Sequence, residues 1–188
     1  NNKKVLLFSS FFRGLEYAWA PILVLFMMSK VGLSIAEIFI LQALFAFMNV
    51  LLEVPSGIIA DRLGRKNTVV FGFILFAIAI VVFNYSQTFW HVLLGELLAA
   101  IGSSAISGAK DALLYDSLKE TKQTDQYKKV TSTMYSRQFF IGAFASFFGG
   151  ILASKFGFHV PILISAAGMF ALAGILVFLK EPKTHDPS

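Results

Sequence analysis

Long apolar runs alternate with short polar breaks along the chain, and this alternation predicts six membrane-crossing helices. Stretches close to the roughly 20 residues that a bilayer demands fall at about 5–28, 36–60, 67–86, 90–117, 131–154 and 158–180. Ser29-Lys30-Val31-Gly32 and Ser86-Gln87-Thr88 are short polar turns, and Lys155-Phe156-Gly157 parts the last two spans. Asp61-Arg62-Leu63-Gly64-Arg65-Lys66 is a charged turn, and Lys119 to Lys129 is the longest polar loop. The expected architecture is a single all-α integral membrane bundle over residues 1–188.

Polar residues inside the spans recur at helical spacing. The first span aligns Ser9, Arg13, Glu16 and Ala20, with Tyr17 beside them, and Arg13 and Glu16 are three apart as an ion pair would be. The second aligns Gln42, Ala46, Asn49, Glu53, Ser56 and Ala60; the fourth aligns Glu96, Ser103, Ser107 and Lys110. Asp111 and Asp116 follow in the fourth, and Arg137 lies in the fifth. The third and sixth spans carry no charge, which predicts that they are lipid-facing scaffold while the other four look toward protein or water. Charge inside a membrane is costly and marks function by default, so three converging stripes predict a solvated pathway. A bland alternative is that the stripes only satisfy one another. Ala99, Ser103 and Ser107, and Gly142, Ser146 and Gly150, have the small-residue spacing of close helix contacts. Gly149-Gly150 offers a bend in the fifth span, and Pro55 a kink in the second.

Composition narrows the class. Of 188 residues 56% are hydrophobic and only 14% charged, where a soluble domain is about a quarter charged; mean hydropathy is +0.72. The absence of cysteine excludes a disulfide scaffold and a cysteine-ligated metal, and no cofactor or metal is expected. The net charge of +5 does not point to nucleic acid, because its distribution follows the membrane. With the N-terminus inside, eleven of the sixteen basic residues fall on the cytoplasmic side, two (Lys30, Lys155) outside, and three (Arg13, Lys110, Arg137) within spans. The positive-inside rule then predicts that both termini are cytoplasmic.

The most specific segment is Gly57-Ile58-Ile59-Ala60-Asp61-Arg62-Leu63-Gly64-Arg65-Lys66. As a turn, it predicts close backbone approach at Gly57, positive φ at Gly64, and pairing of Asp61 with Arg65 or Lys66. This decapeptide closely resembles the signature between helices 2 and 3 of the major facilitator superfamily. Glu53-Val54-Pro55-Ser56 and the run from Ser107 through Asp116 to Ser117 resemble its bacterial branches. The resemblance covers the whole chain, but as the N-terminal half only: six helices as 3+3 inverted repeats, where full members have twelve in two halves around a midplane site. It implies that helices 1 and 4 line the cavity, 2 and 5 flank it, and 3 and 6 lie outside.

The resemblance further implies a gate in which Asp61 meets a helix of the other half, while Arg62 and Arg65 pair with nearby acids, Asp116 among them. Gly57, Gly64 and Lys66 complete that motif. Arg13, Glu16, Tyr17, Gln42, Asn49, Glu53, Glu96, Lys110, Asp111 and Arg137 are the candidates for a substrate or proton cavity, mixed in sign. Leu98 stands where proton-coupled members have an arginine, and residues 138–152 lack the proline of drug antiporters. If protons are the coupling ion, Glu16 is the leading carrier, tuned by Arg13, with Glu53 and Asp111 behind it.

The expectation is a half-transporter moving a small molecule across a bacterial-type cytoplasmic (inner) membrane by alternating access, with efflux one form of it. Its partner would be a C-terminal half or a second copy, and residues 181–188 the start of the linker between halves. Two other classes compete. One is a non-transporting scaffold or receptor. The other is an intramembrane serine protease using Ser103, but His91 would lie about 18–20 Å away at 1.5 Å per residue, and His159 is similarly remote.

Overall fold

The computed structural model describes residues 2–182. Among these, six helices are long and apolar enough to cross a membrane: α1 (Asn2–Val31), α2 (Ile35–Leu63), α3 (Arg65–Asn84), α4 (Phe89–Glu120), α5 (Thr124–Phe156) and α6 (His159–Leu176). Their ends follow local chemistry. Ser34 and Glu37 form a reciprocal capping box at the start of α2, and Thr88 caps α4 through the His91 N–H. Gly64 (φ 93°) and Gly157 (φ 85°) take left-handed conformations between α2 and α3 and between α5 and α6. The polar segment 119–129 is less loop than its composition predicts. The fourth helix runs to Glu120, and a short 3₁₀ turn at Thr124–Gln126 leads into the fifth. Of the expected 181–188 linker, only Glu181 and Pro182 lie within the described residues.

Helix α1 is discontinuous, which the apolar run did not disclose. Its α-helix stops at Leu15, passes through 3₁₀ turns at Glu16–Ala18 and Ala20–Ile22, resumes at Leu23–Phe26 and ends in a π turn at Met27–Val31. Pro21 lies in the second 3₁₀ turn and has no N–H to continue the ladder. Hydroxyls from neighbouring helices satisfy the carbonyls at the break. Ser165 donates to the Leu15 carbonyl at 3.1 Å, and Ser146 to the Tyr17 carbonyl at 2.9 Å. Pro55 has no comparable effect, for α2 continues through it to Leu63.

The packing order adds detail to these expectations. The helices α3, uncharged beyond Arg65 and Lys66 in its first turn, and α6 each pair an exposed face with an enclosed one: α3 packs on α4 and α6, α6 packs also on α1, and half of each is buried. Their apolar side chains Phe73, Ile80, Phe83, Met169 and Leu172 form much of the core. Only one face of α3 (Phe71, Ile74, Ile78) looks outward. Helices α2 and α5 are the least covered, with only 11% of the most apolar stretch of each buried. Charge does not set this order, since α4, with Glu96, Lys110, Asp111 and Asp116, is enclosed as fully as α3; α2 and α5 are the helices whose faces this bundle leaves open.

The close contacts follow the predicted small-residue stripes only in part, since Gly142 and Ser146 do meet α1. In α4 they fall at Gly102, where a Cβ would lie 2.8 Å from the Gly72 carbonyl oxygen of α3, and at Gly108, 2.8 Å from Ser56 Oγ of α2. Close approach near Gly57 is thus real, but it requires the glycine at 108, since a Cβ on Gly57 would meet nothing within 4 Å. In α5, Gly142 faces Tyr17, and a Cβ at Gly149 would fall on the Ala18 carbonyl; Gly150 faces open space. Gly149 is needed for this contact, and α5 runs unbroken through it.

Candidate functional site

At the end of the bundle that carries the charged turn, α2 and α3 meet at Gly64. Arg65, in the first turn of α3, lies between two carboxylates. Its guanidinium donates to Asp61 at 3.2 Å and to Asp116 near the end of α4. Arg62 is exposed and forms no ion pair among the described residues. Lys66 takes part through its backbone. The Glu181 carboxylate accepts from the Arg65 and Lys66 backbone N–H groups at 2.8 and 2.9 Å, neutralising the unpaired donors at a helix N-terminus. Glu181 was not a predicted site residue, and no local signal in the sequence ties a carboxylate after the sixth span to the start of the third. Asn2 closes the same end, donating to Ser117 and the Lys180 carbonyl and accepting from the Lys180 N–H.

Along the membrane depth, the polar stripes of α2 and α4 meet as a seam. Gln42 donates to Glu96 at 2.7 Å, and Glu96 is only 4% exposed. Asn49 accepts from Ser103, and Ser56 donates to the Ser104 carbonyl at 2.9 Å. These residues satisfy one another, as the bland reading had it. Glu53 falls outside the seam, exposed on α2.

A second polar region lies where α1, α2, α4 and α5 converge around a cavity of about 290 Å³. Arg13, Asn49, Ser103, Ser107, Lys110 and Asp111 line it, with Tyr135 and Gln138 from α5. Arg13 reaches it while bonded to Glu16 at 2.6 Å, its guanidinium carbon 5.4 and 5.5 Å from the ring centroids of Phe73 and Phe76. Glu16 itself does not line the cavity. Lys110 Nζ sits 4.9 Å from the centroid of the Tyr135 ring, a cation–π distance.

Four further candidates are not brought to this cavity. Tyr17 turns to Gly142 and, at 3.4 Å, to Gln138; Arg137 is exposed and reaches only the Leu7 carbonyl; Gln42 and Glu96 belong to the seam. Tyr135 and Gln138 were missed, because which way the fifth helix faces cannot be read from composition. Their signal was present in part: both are polar in an otherwise phenylalanine-rich span, and they stand three apart on one helical face.

A larger cavity of about 330 Å³ between α2, α3 and α4 has no ionisable lining residue. Ser103, the protease candidate, bonds Asn49 and the Ala100 carbonyl. His91 and His159 are engaged elsewhere, with Thr88 and Asn84. No group of three or more His, Cys, Asp or Glu side chains among the described residues could hold a metal.

A family model described as Major Facilitator Superfamily matches residues 6–188. The inner membrane transport protein YajR of Escherichia coli is 32% identical over 166 residues, 88% of this chain and 35% of that protein. An uncharacterized MFS-type transporter of Methanocaldococcus jannaschii, MJ1560, is 23% identical, over 86% of this chain and 40% of its own. The quinolone resistance protein NorA of Staphylococcus aureus is 23% identical, over 89% and 42%. The chain therefore spans well under half the length of these curated relatives. With its six spans it is a multi-pass membrane protein.

Proposed function

Because this chain belongs to the Major Facilitator Superfamily, we propose that it forms one six-helix half of a secondary active transporter that moves a small molecule by alternating access. The observation that carries this reading is the polar cavity of about 290 Å³, set among helices whose outer faces are apolar. Buried charge beside a cavity is the arrangement expected of a substrate path. The superfamily is one of transport proteins, and no reaction is assigned to Ser103.

The exposed apolar faces of α2 (Phe39, Phe47, Val50, Val54) and α5 (Phe140, Phe144, Phe147) are the natural seats for a second half. The greater length of the relatives favours a C-terminal half over a second copy, and the detergent-corrected mass of the purified chain distinguishes them. A particle near 20.7 kDa supports the former; twice that mass supports self-pairing. The positive-inside rule supports a cytoplasmic position for the turn end, rich in basic residues, in a bacterial-type cell, with Asp61, Arg65 and Asp116 as the cytoplasmic gate.

In the assembled transporter, Asp61→Asn removes one arm of this charge cluster. Labelling of the cavity from the cytoplasmic side is expected to rise and transport to fall several-fold. Unchanged transport together with unchanged labelling overturns the gate assignment. The scaffold reading draws support from the closed α2–α4 seam, but the seam stops short of Lys110 and Asp111.

A further inference from the structure

The candidate cavity was mixed in sign by composition, yet the fold sorts its charges. Glu16 is turned onto Arg13 and away from the cavity, and Glu96 is enclosed in the α2–α4 seam. Glu53 does not line the cavity either. What faces the space is Lys110, the Arg13–Glu16 pair through its cationic member, and one acid, Asp111. Lys110 forms no ion pair among the described residues; its ammonium instead rests over the Tyr135 ring. An ammonium at membrane depth is expensive without a counter-charge. An aromatic face offsets only part of that cost.

We infer that the cavity is built for an organic anion, a small molecule with a carboxylate, sulfonate or phosphonate head, whose head group binds Lys110 and whose apolar or aromatic body lies against Tyr135. Arg13, its charge balanced by Glu16, presents guanidinium donors to the same space, and the Asn49–Ser103 pair and Ser107 offer hydroxyl and amide groups to the head. This rests on the transporter reading above and specifies its substrate class. Lys110 is the specificity-determining residue; Asp111, exposed beside it in the lining, lies beyond ion-pair distance.

Because this chain has no cysteine, a single Ser107→Cys substitution makes a clean reporter inside the cavity. The test uses the assembled transporter, with any cysteines elsewhere in its sequence replaced. Cys-directed methanethiosulfonates bearing either a sulfonate or a trimethylammonium group are applied, and their rates are normalised to those with a free thiol. Both reagents are expected to react, with the anionic one favoured about tenfold, the low end of focusing by a charged cleft. Lys110→Gln should bring the ratio close to one, and Lys110→Arg should preserve it. In parallel, 2-naphthoate should protect the thiol, and its neutral amide and the matching naphthylmethylammonium should not.

A ratio at or below one, or a ratio unmoved by Lys110→Gln, overturns the anion assignment while leaving a solvated pathway intact. Equal protection by the amide also overturns it. Failure of both reagents to react overturns the transporter reading and this inference with it.

Discussion

The α2–α4 seam and the α1–α4–α5 cavity both draw on polar stripes at helical spacing and share Asn49 and Ser103, yet they end in opposite states. In the seam, Gln42, Glu96, Asn49, Ser103 and Ser56 close on partners across two helices. Farther along α4, Lys110 and Asp111 open onto space. The difference lies in what stands opposite. The second helix brings a matching polar stripe to Gly108, where the helices touch, whereas the fifth brings an aromatic ring and an amide. A polar stripe therefore reports that a face is not lipid-exposed; the facing helix decides whether that face is zipped or wet.

This contrast can be broken most forcefully at the helix both regions share. Gly102→Leu drives a side chain into the Gly72 backbone, where no flexible group can yield, and is expected to cost about 3 kcal/mol or more, read as loss of monodisperse folded protein. Glu96→Ala comes next. It strips Gln42 of its buried partner, and equilibrium unfolding in mixed micelles should show a loss of about 1–2 kcal/mol, at the upper end for interhelical hydrogen bonds in membranes. Asn49→Ala should cost about 0.6 kcal/mol, their average, in the same measurement.

The smallest effect on stability is expected within the cavity. Tyr135→Leu should move unfolding by less than about 0.5 kcal/mol, as at sites without tight packing, while lowering transport several-fold. If Tyr135→Leu destabilises as much as Glu96→Ala, the cavity is structural and the contrast fails.

Six spans were legible because period and length are local properties. The pairing of Arg13 with Glu16 and of Asp61 with Arg65 was legible for the same reason, since each joins residues three or four apart on one stretch of chain. What could not be read were facts of facing. The absence of charge did not disclose that one face of each of α3 and α6 packs into the core while the other stays exposed. Gly149 and Gly150 are adjacent and chemically identical, yet only the first meets Ala18. Glu181 and the third helix are more than a hundred residues apart, a separation across which no periodicity carries information. Tyr135 became visible only once the fifth helix was rotated against the fourth.

The break in α1 has a consequence for how that helix behaves. An unbroken helix keeps its form through bonds it makes to itself. At Leu15 and Tyr17 the carbonyls also accept from the hydroxyls of Ser165 and Ser146, residues of two different helices. The path of α1 beside the cavity is therefore a reading of where its neighbours stand. Whenever α5 and α6 shift relative to one another, this helix is the element least able to stay as it was.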